Sequence, residues 1–290
     1  MSNKIIIGVL ILVAFCILCC QQPVRKKEVN HTSDNIKNNG SRNSIFRDSN
    51  IEEDSYSFEY QGRQVDSILK KALVLADQNK TKASFQKGYE EITKDGIVQV
   101  NVDMVYGHLF NQNVKHLLIR GHSGLGTNLS IYLLKFNSFI PVLDTVIEGH
   151  DYIKDTIRDV NGDRQKDFLV HTSSGCCRRN VYNVYLYQPS SKGFASNYFF
   201  MNPTFYPAEK VIRGVEYGHS GEAPLYKYKW NEFKVDTIEY IYPNMEDTRD
   251  QTYYKTIRFR YTRPNIRKVI LKKIPKEYLN VDDFDWFQAY

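Results

Sequence analysis

The sequence is poor in cysteine, and the few cysteines present are crowded near one place. Of five cysteines in 290 residues, three stand at positions 16, 19 and 20, and only Cys176 and Cys177 remain for the rest of the chain. A disulfide framework is therefore excluded as the main support of the fold. A large excess of one charge is also missing, since the net charge is only +6. So modest an excess is no signature of nucleic-acid binding.

Histidine pairs at metal-binding spacing are missing as well. Neither H-x-x-x-H nor HExxH occurs among His108, His116, His150 and His171, which argues against a zinc site. The sequence GHSG does occur twice, at residues 121–124 and 218–221. A hydrolase nucleophile elbow needs G-x-S-x-G between a strand and a helix. Leu125 and Glu222 occupy the place of the second glycine, so we interpret both copies as structural turns.

The first twenty-two residues carry the strongest signal in the chain. Lys4 precedes an apolar run over residues 5–18, which is shorter than the ~20 residues that span a bilayer. A basic start, an apolar stretch and a small-residue cleavage site are typical of a secretory signal. The segment resembles a bacterial lipobox in which Cys20 is lipidated, with Ile17 three residues before it; Cys19 is the alternative.

These features predict three parts of the chain. Residues 1–20 are expected to be a lipoprotein signal peptide, and residues 21–57, polar and balanced in charge, a disordered tether. Residues 58–290 are expected to form one calcium-loop β domain. The predicted location is the bacterial cell envelope, most simply the outer membrane facing the periplasm or the cell surface.

Periodicity in the remaining chain predicts one helix and many strands. Apolar residues fall at helical spacing over residues 64–79. Residues 97–105 and 256–261 alternate between apolar and polar side chains, as half-buried strands do. With 21 tyrosines and frequent short turns, the sequence favours a mainly β fold. We expect propeller-like or stacked antiparallel β-hairpin repeats with one N-terminal helix.

The two GHSG copies belong to an internal repeat. Each is followed by an alternating strand, a tight turn and a second strand, over residues 131–146 in the first copy and 225–238 in the second. A looser third copy begins at residues 173–177 and continues through residues 184–194. Units of this length that each contain a hairpin are typical of propeller blades or stacked β-units.

A calcium-binding pattern lies over residues 159–167, which read DVNGDRQKD. Oxygen donors at positions 1, 3, 5, 7 and 9 of such a loop surround a hard cation. They would be the side chains of Asp159, Asn161, Asp163 and Asp167 and the backbone carbonyl of Gln165. The glutamate that closes an EF-hand at position 12 is absent, and an apolar strand follows at once. A polar turn without a metal is the alternative.

The stretch DVNGDRQKDFLV resembles the calcium loop of FG-GAP and VCBS-type propeller repeats, although Arg164 stands where that loop usually has glycine. Over about residues 100–245 the order of short motifs is similar to that of a family of bacterial envelope proteins. The resemblance implies a propeller-like fold with one calcium loop. Members of that family include periplasmic immunity proteins that inhibit peptidoglycan-cleaving toxins, so it also implies an inhibitory role.

Two further features leave alternatives open. Cys176 and Cys177 could form a vicinal disulfide in an oxidising compartment, or remain two thiols. Residues 251–275 carry eight basic residues and no acidic one. This stretch could hold anionic polymers or lipid head groups, or could simply be a solvated face.

The sequence therefore predicts a binding module rather than an enzyme. Its partners would be a lipid bilayer, through the acyl anchor on Cys20, and a protein or glycan, with no nucleic acid; its cofactor would be a calcium ion. An enzyme acting on envelope glycans and a purely structural envelope lipoprotein are the alternatives. No motif in the sequence identifies the partner or the oligomeric state.

Overall fold

The computed structural model describes residues 50–174, 179–216, 218–219, 222–246, 251–259 and 267–288. All of them belong to one unit, Ser49–Tyr290. Cys20, Cys176 and Cys177 lie outside the described residues, as do the signal peptide and the tether up to residue 49.

The described elements are two α-helices, fifteen strands and two short 3-10 helices. In chain order they are α1 Asn50–Asp77, β1 Phe85–Ile92, β2 Gln99–Gly107, β3 His116–Ser123, β4 Gly126–Lys135, β5 Ser138–Glu148, β6 Tyr152–Arg158, β7 Asp167–Ser174, β8 Arg179–Gln188, β9 Gly193–Met201, β10 Pro203–Tyr206, the 3-10 helix Pro207–Glu209, β11 Val211–Val215, β12 Leu225–Asn231, β13 Lys234–Pro243, β14 Tyr253–Thr256, β15 Val269–Leu271, the 3-10 helix Lys276–Tyr278 and α2 Phe284–Gln288.

The strands form three antiparallel sheets in which sequence neighbours pair. Sheet A contains β1 to β5, sheet B contains β6 to β9, and sheet C contains β10 to β15. Strands account for 53% of the structure, which confirms the mainly β prediction. The described residues form no closed barrel, and the propeller arrangement stays a prediction.

Each copy of the predicted repeat lies where one strand leads to the next within a sheet. The first GHSG copy covers the end of β3 and the start of the turn to β4. The second lies in the chain between β11 and β12, with residues 220–221 outside the described part. The looser copy begins at the end of β7, before β8. Each copy thus joins the first two strands of a three-stranded meander.

Helix α1 packs its apolar face on β2 and β3 of sheet A. Val65, Ile68, Ala72 and Ala76 are buried there, at the spacing that predicted the helix. The helix begins at Asn50, well before the predicted start at residue 64, so residues 50–57 of the predicted tether are helical. Those first turns lack the apolar periodicity on which the prediction depended.

One strand prediction is wrong. Strand β14 ends at Thr256, and residues 257–259 form a bend rather than continuing the alternating pattern. The Thr256 hydroxyl accepts a hydrogen bond from the Arg258 amide at 3.3 Å, which supports the bend. Residues 260–261 of that prediction lie outside the described part. No helix in the described part of the chain is both long and apolar enough to cross a membrane.

Candidate functional site

The predicted calcium loop forms a compact turn between β6 and β7. Both oxygens of the Asp159 carboxylate accept backbone hydrogen bonds, from Gly162 at 2.7 Å and from Arg164 at 2.9 Å. The Asn161 side-chain oxygen accepts from the Asp163 amide at 3.1 Å, and Asp163 accepts from the Gln165 amide at 2.7 Å. The side chains at positions 1, 3 and 5 are therefore fixed by the turn itself.

Two residues in the loop have left-handed backbone conformations. Gly162 has φ 76°, and Arg164 has φ 68° where the loops it resembles carry glycine. A Cβ on Gly162 would lie 2.2 Å from the Pro207 carbonyl oxygen, so glycine is required for the loop to seat against the 3-10 helix of sheet C. Arg164 adopts the same region at a cost of about 1 kcal/mol.

Asp167 closes the loop from inside the protein. Its side chain is fully buried, and it accepts backbone hydrogen bonds from Val160 and Tyr187, each at 3.0 Å. Burial raises the pKa of Asp167 to about 7; the two amide donors oppose the rise, and the charges of Asp163 and Asp159 add to it. A cation in this loop would offset the same burial and repulsion.

The loop therefore contains the oxygen-donor types that suit calcium. Among the residues that the structure describes, no three acidic, histidine or cysteine side chains converge into a metal cluster. Calcium also binds amide side-chain oxygens such as that of Asn161, and backbone carbonyl oxygens. Gln165, predicted to contribute its carbonyl, also ties the loop to the β2–β3 connection by accepting from Asn111 at 3.0 Å.

The first GHSG copy serves the packing of the turn. A Cβ on Gly121 would lie 2.6 Å from a methyl carbon of Leu69, so this glycine lets α1 approach β3. The Ser123 hydroxyl accepts from the Leu125 amide at 3.2 Å and donates to the Gly126 carbonyl at 3.3 Å. The His122 ring faces the Thr127 hydroxyl at 3.1 Å. These contacts support the structural interpretation of the motif.

Two shallow grooves flank this turn, and sequence reasoning missed both. The larger, of about 400 Å³, is lined by Gly124, Leu125, Glu148, Gly149, His150 and Asp151. The smaller, of about 220 Å³, lies between α1 and sheet A and includes Asp66 and Asn128. We call this the grooved end of sheet A. The exposed carboxylates of Asp66, Glu148 and Asp151 give it an acidic rim.

A buried polar cluster joins sheet A to sheet B. Arg120 on β3 donates two hydrogen bonds to Asp155 on β6, at 2.6 and 2.7 Å. The Tyr152 hydroxyl donates to the same carboxylate at 2.6 Å. The Asp155 side chain is only 1% exposed, so the pair supplies the charge compensation that its burial demands. Burial and the neighbouring carboxylate raise the pKa of Tyr152.

The opposite end of sheet A carries lysines and an exposed phenylalanine instead of carboxylates. We call it the Phe136 end; it consists of the connections at residues 78–84, 108–115 and 136–137. Phe136 stands at the tip of the β4–β5 hairpin, 87% exposed and with φ 49°. None of the three connections contains an acidic residue. The lysines of this end are Lys80, Lys82, Lys115 and, beside Phe136, Lys135.

A buried histidine lies just beneath the Phe136 end. His116 is fully buried and makes edge contacts with the rings of Phe110 and Tyr187, with centroids 5.1 and 5.5 Å away. Neither ring nitrogen has a well-formed hydrogen bond to a described residue. Burial lowers the pKa of His116 to about 4, opposed by the Lys192 backbone.

Comparison with known proteins assigns no family to this chain. No protein-family model, no curated protein and no solved structure matches it. The likeness of residues 159–170 to FG-GAP loops therefore stays an expectation from those residues alone. The loop and the two ends of sheet A are the features on which a function can rest.

Proposed function

We propose that this protein is a calcium-stabilised binding module of the bacterial envelope, anchored to a membrane through a lipid on Cys20, with a protein or glycan as its partner. The observation that carries the proposal is the loop at residues 159–167, in which the fully buried Asp167 carboxylate has its pKa raised by burial and further by the charges of Asp163 and Asp159. An extracytoplasmic address suits a calcium loop, because calcium is abundant there.

Calcium would be held by oxygen atoms only. Asp159, Asn161 and Asp163 would contribute side-chain oxygens, Gln165 its carbonyl, and Asp167 the innermost carboxylate. Each of these carboxylate oxygens has a second lone pair beside the amide hydrogen bond that it accepts. The ion would supply positive charge between strands β6 and β7 and would therefore stabilise the junction of sheets B and C, where Gly162 meets Pro207.

The grooved end is the surface that we assign to the partner. Its carboxylates, Asp66, Glu148 and Asp151, are exposed on the rims of open grooves. A catalytic acid usually depends on burial to hold its proton at neutral pH, which these positions do not provide. Exposed acidic groups around an apolar floor such as Leu125 suit recognition of a basic or hydroxyl-rich partner instead.

The calcium part is tested by thermal melting of the full chain. We expect EDTA to lower the melting temperature by several degrees, and added calcium to restore it. Asp163→Asn should abolish this response, because it removes one charge while leaving a turn-compatible side chain. Asp236→Asn, at an exposed position on β13, is the matched control and should respond as wild type. A melting temperature indifferent to EDTA would contradict the proposal.

The partner part is tested by capture from envelope extract in calcium. Glu148→Lys together with Asp151→Lys should release whatever the wild-type chain retains, whereas Asp236→Lys should not. If the charge reversals at the grooved end leave the captured material unchanged, that end is not the binding surface. Hydrolysis of envelope glycans by the purified chain would favour the enzyme alternative.

A further inference from the structure

Phe136 occupies a turn position that its side chain does not favour. Residues 136 and 137 form a two-residue hairpin turn with φ 49° and 60°, and Lys135 pairs with Ser138 across it. Turns with left-handed backbone at both central residues strongly prefer Asn-Gly or Asp-Gly. Phenylalanine there is an outlier in conformation and, at 87% exposure, in solvation. Phe136 belongs to none of the buried apolar clusters of the described residues, so core packing does not account for an aromatic ring at this tip.

The turn is nevertheless held firmly in place. Lys80 donates a hydrogen bond to the Asn137 carbonyl at 3.0 Å and also pairs with Asp77, which ties the hairpin tip to the end of α1. Below the tip, Phe139 makes an edge contact with the ring of Tyr106. Phe136 is thus an exposed apolar side chain on a turn that is tied to α1 and packed on the core below it, the arrangement that a binding anchor needs.

Lysines lie beside the Phe136 ring and on the neighbouring connections of the same end of sheet A. Lys135 lies over the ring of Phe136, with its Nζ 5.2 Å from the centroid. Lys82, Lys115 and Lys135 have no ion pair with any residue in the described ranges, although Lys115 donates to the Lys82 carbonyl. Lys82 and Lys115 lie on connections without acidic residues, and Lys135 ends β4 beside the tip, so this surface is basic with an exposed apolar side chain at its tip.

We propose that the Phe136 end docks on an anionic lipid surface, with the Phe136 ring inserted among the acyl chains and the lysines on the head groups. A protruding aromatic residue with lysines around it matches the layering of a membrane interface, where apolar side chains enter the acyl boundary and cations meet negative head groups. This contact is separate from a lipid on Cys20 and does not require calcium. It would orient sheet A with its grooved end away from the bilayer.

The experiment places a fluorescent probe at the tip. The full chain carrying Phe136→Trp is reconstituted into vesicles of phosphatidylcholine alone or of phosphatidylcholine and phosphatidylglycerol at about 3:1, with acyl chains brominated near the head group. Phe199→Trp is the matched control, because Phe199 is also exposed, at 60%, but stands on β9. The wild-type signal from Trp230 and Trp286 is subtracted.

We expect the indole of the Phe136→Trp variant to be quenched and shifted to shorter wavelength in the anionic vesicles only. High salt should reverse the effect, since it screens exposed charges within a few ångströms. Adding Lys82→Gln and Lys135→Gln should lower the ratio of docked to undocked chains by about fivefold for each lysine removed. Lys272→Gln with Lys273→Gln, in the other basic segment, should change nothing.

Two results would overturn the inference. Quenching of the Phe136→Trp variant no greater than that of the Phe199→Trp control in both kinds of vesicle would show that the tip does not enter the bilayer. Equal quenching of the tip probe with and without phosphatidylglycerol, and at high salt, would show that the lysines do not direct it. Neither result bears on calcium or on the partner surface, so failure here is distinguishable from failure of the proposed function.

Discussion

The two ends of sheet A place different residue types where the backbone has a positive φ angle. At the grooved end, the left-handed position is filled by Gly126, with φ 142°, and no side chain is strained. At the Phe136 end, comparable positions are filled by Phe136 and Asn137. Glycine at the first end lets two strands approach closely, whereas the aromatic ring at the second is 87% exposed and packs in no buried apolar cluster of the described residues. Where a sequence accepts backbone strain without a packing return, the side chain is a candidate for function.

The largest effect is expected from removing the glycine of the grooved end. A Cβ on Gly126 would lie 2.3 Å from the Ile147 carbonyl oxygen, a backbone atom that no rotamer change can move. Gly126→Ala should therefore lower the free energy of unfolding by roughly 3 kcal/mol, measured by urea denaturation. It should also widen the separation of β4 from the end of β5, and so alter the groove beside Glu148.

The neighbouring turn residue provides the control for that prediction. A Cβ on Gly124 would meet nothing within 4 Å. Gly124→Ala should change the free energy of unfolding by no more than a few tenths of a kcal/mol. Equal losses from the two substitutions would mean that the turn is sensitive to any side chain, rather than to the close approach at Gly126.

A second effect of similar size is the loss of stability at acid pH caused by His116, the buried residue beneath the Phe136 end. The folded chain holds the pKa of His116 at about 4, below its ordinary value of 6.5. Between those pH values the unfolded chain therefore binds a proton at His116 more readily than the folded chain does. The contribution of neutral His116 to the free energy of unfolding is fully present above pH 6.5 and is lost as the pH falls towards 4. At about 1.36 kcal/mol per pH unit, the loss across this range reaches about 3 kcal/mol.

Substituting His116 isolates that contribution from the titration of carboxylates. His116→Phe keeps an aromatic ring between Phe110 and Tyr187 and should flatten the decline in unfolding free energy between about pH 6.5 and 4.5 relative to wild type. His116→Leu tests the same point if the larger ring does not fit. Parallel pH profiles for wild type and both variants would contradict the assignment.

The sequence predicted those features of the fold that follow from a local periodic pattern of residues. Val100, Val102 and Met104 alternate with polar residues along β2 and are buried as expected. The loop at residues 159–167 was found for the same reason, since its oxygen donors recur every second residue. The calcium assignment itself stays a prediction.

Features made by chain segments that meet only in the fold left no such pattern. The bidentate pair of Arg120 and Asp155 joins two sheets across 35 residues. The larger groove combines the β3–β4 turn with the end of β5, and the smaller groove combines α1 with the same part of sheet A. The Phe136 end left no such pattern either, because Phe-Asn lacks the Asn-Gly of a two-residue turn and continues the mainly apolar run of residues 131–136. Only the backbone of the structure shows that the turn falls at residues 136–137.

Replacing Phe136 should change stability less than the effects at Gly126 and His116, and it discriminates best between the two ends because its sign is reversed. Phe136→Asn places a residue that tolerates left-handed backbone at φ 49°, and should raise the free energy of unfolding by about 1 kcal/mol. If Phe136 served the fold, the substitution would instead destabilise the chain. A variant that melts higher and yet loses contact with anionic vesicles would separate the two roles, since strain relief strengthens the hairpin while the anchor is lost. The urea midpoint and vesicle docking, measured on the same preparation with Phe199→Asn alongside, decide whether the aromatic ring is kept for binding at a cost in stability.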